Sequence, residues 1–123
     1  MDDAQSLPEP LRGYLVPSSL AGPPGDRSGF GLGRAENPAC GDVVVLYVSR
    51  GAGPLEVRYQ VVGCAAVLAV SAYLADRVEG LGRDAARAFD LEAAIEALGG
   101  LPRPRRHAIS VCRRALHAAL DGI

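Results

Sequence analysis

The sequence contains no lysine; all 13 of its basic residues are arginine. That bias is read first as a mark of GC-rich coding and only weakly as chemistry. The chain also lacks a strong charge of either sign, with a formal net charge of −1. No global positive field exists to steer a polyanion, so nucleic acid is not an expected partner. Long apolar runs are missing too. The longest, residues 61–75 ("VVGCAAVLAVSAYLA"), is interrupted by Gly63 and Ser71. It falls short of the roughly 20 residues a membrane span needs, which makes it a buried core element. The opening "MDDAQSLPEP" is acidic and broken by proline, without a basic or apolar leader region. The expected compartment is therefore the cytoplasm, where thiols stay reduced. Cysteine is scarce, with three residues, widely spaced and odd in number. Such cysteines are free, buried, metal-binding or catalytic rather than paired. No Ser-His-Asp arrangement, general-acid carboxylate pair or phosphate-cradling loop is evident, and no enzyme activity is expected. The "GFGLG" of residues 29–33 is followed by no helix and does not qualify as a nucleotide loop.

What is present is an ordinary globular composition, 49% hydrophobic and 22% charged, long enough for one core. Residues 1–28 read as a proline-rich arm, punctuated by Pro8, Pro10, Pro17, Pro23 and Pro24. Its apolar "LRGYLVP" is able to dock on the domain, but the prolines leave no room for a helix to grow. Residues 29–123 form the single domain. "GFGLGRAEN" suits a short, glycine-rich edge strand. "DVVVLYVSR" is rich in β-branched residues and predicts a strand. "LEVRYQVVG" alternates, with Val57, Tyr59 and Val61 on one side, and predicts a half-buried partner in a hairpin. After Gly63 the pattern turns helical and stops at Gly80. "RDAARAFDLEAAIEALGG" predicts one or two short helices, with Asp90 as a cap and Gly99–Gly100 as the end. The last segment opens with two prolines and carries an apolar stripe through Ile109, Cys112, Leu116, Ala119 and Leu120. Strands followed by helices predict an α+β fold, a three-stranded antiparallel sheet with helices packed on one face.

Chemistry-bearing residues fall at element ends. Cys40 and Asp42 flank Gly41 and, two apart in extended chain, point to one side. Gly41 permits a bend, Pro38 stiffens the approach and Asn37 suits a turn. Cys64 opens a helix, where the positive end of the helix dipole favours the thiolate form that binds metal and attacks sulfur. His107 stands at the start of the last helix. Two thiols, a carboxylate and an imidazole suit a tetrahedral Zn²⁺ site or a small iron–sulfur centre. The spacing alone equally allows two buried cysteines and a surface histidine. His117 reads as a solvated helix-face residue. Arg103, Arg105 and Arg106 make a basic patch beside the candidate site, either a solvated loop or a surface for an acidic partner.

The "NPACGD" of residues 37–42, the "GCA" of residues 63–65 and the helix-opening His107 together resemble the IscU/NifU/SufU iron–sulfur cluster scaffold family. The resemblance runs from about residue 29 to residue 120. It implies the same three-stranded α+β fold. It implies that Cys40, Asp42, Cys64 and His107 are site residues, with a transient [2Fe–2S] cluster as cargo. It implies a cysteine desulfurase as sulfur donor, apo iron–sulfur proteins as recipients, and in some lineages a chaperone pair. That pair reads a Leu-Pro-Pro-Val-Lys segment. Here residues 101–105 read "LPRPR", keeping Leu101, Pro102 and the basic end at Arg105.

The chain departs from the pattern in one place that matters chemically. The family's third cysteine follows the histidine directly, and here that position is Ala108. The next thiol, Cys112, lies about 40° round the helix from residue 108 and about 6 Å along it, within the apolar stripe. Burial is its expected role. Two further departures are the alanine, valine and leucine after Cys64, where many members carry serine, and the arm, where the family usually has a helix. Three functions are therefore expected to compete: a cluster scaffold or carrier, a zinc-containing sulfurtransferase-type acceptor for a desulfurase, and a zinc-binding regulatory module.

Overall fold

The computed structural model describes residues 6–123, so the first five residues of the arm lie outside the described chain. The strands come first, as the alternating segments require. They are β1 (Phe30–Asn37), β2 (Asp42–Ser49) and β3 (Val57–Val62). They form one antiparallel sheet in the order β1-β2-β3, with Gly33 opposite Leu46 and Leu46 opposite Tyr59. The longer helices follow: α2 (Ala65–Val78), α3 (Arg83–Ala88), α4 (Leu91–Ala97) and α5 (His107–Asp121); ahead of the strands lie a one-turn helix, α1 (Glu9–Arg12), and the 3₁₀ turns Gly13–Leu15 and Arg27–Gly29.

Side chains alternate across the sheet, and that alternation assigns its two faces. Val44, Leu46, Val48, Val57 and Tyr59 are buried on the face that α2 and α5 cover. On the opposite face Leu32 and Val62 are exposed, and the Tyr47 hydroxyl donates to Gln60 Oε1 at 2.6 Å. β1 can lie close under α5 because it presents glycine there. A Cβ on Gly33 would meet the Ala115 carbonyl oxygen at 2.0 Å and the Ala119 nitrogen at 2.3 Å. The "GFGLG" stretch is thus a close-packing device, with no Cβ where the helix backbone sits.

The arm differs from its expectation. Pro8 and Pro10 do not prevent a helical turn; they occupy its start, where a missing N–H costs nothing. α1 seats Leu7 and Leu11 in the main core, both at most 2% exposed. Burying two such leucines stabilises by about 1.5–3 kcal/mol each. The arm then runs beside β3, with the Gly22 N–H donating to the Tyr59 carbonyl at 2.8 Å and the Tyr59 N–H to the Leu20 carbonyl at 3.0 Å. Asp90 caps α4 as expected, accepting from the Ala93 N–H at 3.0 Å. Among the described residues no helix is long and apolar enough to cross a membrane.

Candidate metal centre

Three junctions meet at one end of the sheet: the β1–β2 turn, the step from β3 into α2, and the first turn of α5. The β1–β2 turn spans residues 38–41. In it the Cys40 N–H donates to the Asn37 carbonyl at 3.1 Å, and Gly41 takes φ +71°, a conformation that glycine adopts without strain. The turn leaves Cys40 exposed. Asp42, the first residue of β2, points to the helix-covered face and is 0% exposed.

A fully buried carboxylate needs partners. Asp42 Oδ1 accepts the N–H of Cys64, the N-cap residue of α2, at 3.2 Å. Its other oxygen, Oδ2, lies 2.8 Å from His107 Nε2. Despite that distance neither atom has a hydrogen-bond partner, so the pair lacks hydrogen-bond alignment. The other ring nitrogen explains the arrangement. Nδ1 lies 3.1 Å from the Pro104 carbonyl oxygen. A carbonyl only accepts, so Nδ1 carries the proton, and in the neutral ring Nε2 presents its lone pair to a carboxylate. Two such lone-pair atoms in contact need something between them, a proton or a metal ion. A histidine that donates its far N–H to a carbonyl is the usual state of a metal-ligating imidazole.

The Cys40 thiol completes the group. One donor atom each from Cys40, Asp42 and His107 lies within 4.8 Å of the other two. Sulfur, oxygen and nitrogen donors fit Zn²⁺ or an iron centre. Of the four expected site residues, the structure therefore brings together three. The Cys64 thiol stands outside this group, although its backbone is joined to it through Asp42.

Ala108 and Cys112 complete the picture of the helix. Ala108 is 0% exposed, so the position where the resemblance expects a thiol faces protein. Cys112 is also fully buried; burial first, then the neighbouring Asp42 and Cys64, push its thiol far above the ordinary range. It stays protonated and behaves as a small hydrophobe. Arg103 and Arg106 are exposed just before α5. Sequence reading missed the Pro104 carbonyl as the group that orients His107. The proline-rich approach to the helix was visible, but nothing local says which carbonyl a ring will reach.

Comparisons with known proteins identify the family. The family model described as the NifU-like N-terminal domain matches residues 18–122. An iron–sulfur cluster assembly scaffold protein, IscU 1 of Archaeoglobus fulgidus, is 33% identical over 91 residues, covering 73% of this chain and 60% of that protein. A bifunctional NifU/MnmA protein of Rubrobacter xylanophilus is 39% identical over 112 residues, covering 88% of this chain and 22% of that protein. The chain thus spans about 60% of the length of the IscU relative and less of the bifunctional one. The fold resembles the crystal structure of a candidate iron–sulfur cluster assembly scaffold protein for the SUF system from Fervidobacterium islandicum. The TM-score is 0.69 at 19% identity, covering 91% of this chain and 94% of that one. With the family model spanning most of its length, this chain belongs to the NifU-like N-terminal domain family, with IscU and NifU proteins among its relatives.

Proposed function

We propose that the chain is a scaffold or carrier in iron–sulfur cluster assembly. It holds iron and sulfur, or zinc, at Cys40, Asp42, Cys64 and His107 and passes the cluster to apo-proteins. The observation that carries this reading is the facing pair of Asp42 Oδ2 and His107 Nε2, both buried, 2.8 Å apart and without hydrogen-bond alignment, beside the Cys40 thiol. Cys64 joins when its side chain rotates toward the group, over a backbone already held by Asp42. A cysteine desulfurase supplies sulfur and apo iron–sulfur proteins receive the product. These partners, like a reducing cytoplasmic location, come from the family and from the thiols.

A chaperone pair reading residues 101–105 would meet Pro102 and Arg103, both exposed. Leu101 is 5% exposed, in the core. In this reading residues 29–123 are the scaffold domain and residues 1–28 its arm, whose Leu7 and Leu11 pack in the domain core. The test is anaerobic reconstitution with iron, cysteine and a desulfurase. The expected result is a cluster chromophore on wild type that weakens in Cys64→Ala. No chromophore, or an equal one in the variant, defeats the proposal.

One observation favours a second reading. The mutually close donors number three, with a single thiol, and this suits Zn²⁺ with one open position better than a thiolate-rich cluster. In that case the protein is a zinc-containing sulfur acceptor, or a zinc-binding regulatory module. Persulfide on Cys40 or Cys64 after incubation with a desulfurase separates the first of these from the second.

A further inference from the structure

We infer that Gly63 is a positioning residue, whose missing side chain is the seat of the Asp42 carboxylate. The inference rests on the reading of Asp42 as a metal ligand and extends it to the residue that holds the ligand in place. Gly63 follows β3 and lies opposite Asp42, one step beyond the Val43–Val62 pair. A Cβ at Gly63 would stand 2.4 Å from Asp42 Oδ1, 3.1 Å from its Cγ and 3.3 Å from its Cβ. All three contacts are to one side chain, and that side chain is fully buried.

Backbone conformation does not call for glycine here, because Gly63 is not among the positive-φ residues. Nor does general crowding, since the residue itself is exposed. What glycine provides at this position is space for a carboxylate. The Asp42 group is then fixed between two partners. Oδ1 takes the Cys64 N–H at 3.2 Å, and Oδ2 is left facing His107 Nε2 at 2.8 Å. A methyl group at residue 63 would push Oδ1 off the Cys64 N–H and turn Oδ2 away from the imidazole and the Cys40 thiol. The glycine and cysteine of "GCA" thus act on the site from the same place, one by yielding room and the other by donating its N–H.

The test compares Gly63→Ala, Asp42→Ala and the double variant with wild type, using zinc affinity by chelator competition and hydrogen exchange of the Cys64 amide in metal-free protein. Gly63→Ala alone is expected to weaken zinc binding about 10- to 100-fold, the usual cost of disturbing a group that orients a ligand. It should also speed Cys64 amide exchange. In the Asp42→Ala background the same change is expected to alter neither quantity, because the carboxylate it displaces is gone. Unchanged zinc binding with a protected Cys64 amide in Gly63→Ala overturns the inference, as does an equal cost in both backgrounds. If wild type itself binds no zinc, the metal reading fails, while the Cys64 amide in the metal-free variants still decides the role of Gly63. If Gly63→Ala does not fold, a folded double variant supports the inference and an unfolded one refutes it.

Discussion

The two ends of α5 are built for opposite purposes. At its C-terminal end, Arg50 donates to the Gly122 carbonyl at 2.8 Å, Arg83 donates to the Ile123 carbonyl at 3.0 Å, and Arg87 pairs with Asp121 at 2.7 Å. Cations there complement the negative end of the helix dipole. Gly31 and Gly33 let the sheet close against the same stretch of helix backbone. At the N-terminal end there is no acidic residue in the first turn and no side-chain cap. Exposed Arg103 and Arg106 stand there, on the side where the dipole is already positive. That end leaves two buried polar atoms, Asp42 Oδ2 and His107 Nε2, without a hydrogen bond and a thiol exposed. The contrast teaches where this small fold keeps its stability and where it gives some up. The clamped end holds the helix on the sheet. The open end gathers exposed arginines, an exposed thiol and a buried carboxylate–imidazole pair that lacks a hydrogen bond.

Mutations at the two ends should therefore fail in different ways. Gly33→Ala is expected to cost the most stability, about 3 kcal/mol, because its Cβ meets helix backbone rather than a movable side chain. Urea unfolding measures that loss, and the zinc affinity of the protein that remains folded should be unchanged. Asp42→Ala should do the reverse. Zinc affinity should fall more than about 100-fold, beyond the usual cost of losing an orienting group. Stability without metal should stay within about 1 kcal/mol, since the lost Cys64 contact, a cap of about 1 kcal/mol, is offset by no longer burying a charge. A variant that damaged both properties equally would erase the distinction between the two ends.

Ala108→Cys sharpens the comparison by adding a thiol at the open end. It should raise cluster yield in reconstitution and tighten zinc about tenfold, an order-of-magnitude expectation for one more soft ligand. No gain would mean that the buried Ala108 position faces away from the metal. The smallest effect belongs to Cys112. Its folded thiol is raised above the unfolded value, so its contribution is complete below about pH 8.5 and is lost as pH rises from there. Wild-type stability should decline more steeply above that pH than stability of Cys112→Ala. Alkylation gives an independent check: Cys40 should react first, Cys64 more slowly, and Cys112 only on unfolding.

Local chemistry explains which of these features were legible before the fold was known. The period-2 and helical patterns placed the three strands and the later helices, and Asp90 capped α4 as its residue type implies. "NPACGD" was legible because a turn is made by its own residues. What the pattern missed depends on partners distant in sequence. Gly31 and Gly33 looked like a weak edge strand until α5 lay over them. Two prolines argued against helix in the arm, yet they begin α1, and only the core contacts of Leu7 and Leu11 give that turn a reason to form. Cys64 was expected beside Cys40, Asp42 and His107. Its position at the N-cap of α2 puts its N–H, rather than its thiol, in touch with that group.

Zinc K-edge X-ray absorption on wild-type protein loaded with one equivalent of metal tests the central claim most directly. The account predicts nitrogen and oxygen ligands at about 2.0–2.1 Å together with one or two sulfurs at about 2.3 Å. The sulfur from Cys40 should disappear in Cys40→Ala, and the spectrum of Cys112→Ala should match wild type. A shell of three sulfurs, or no stoichiometric zinc, would contradict it.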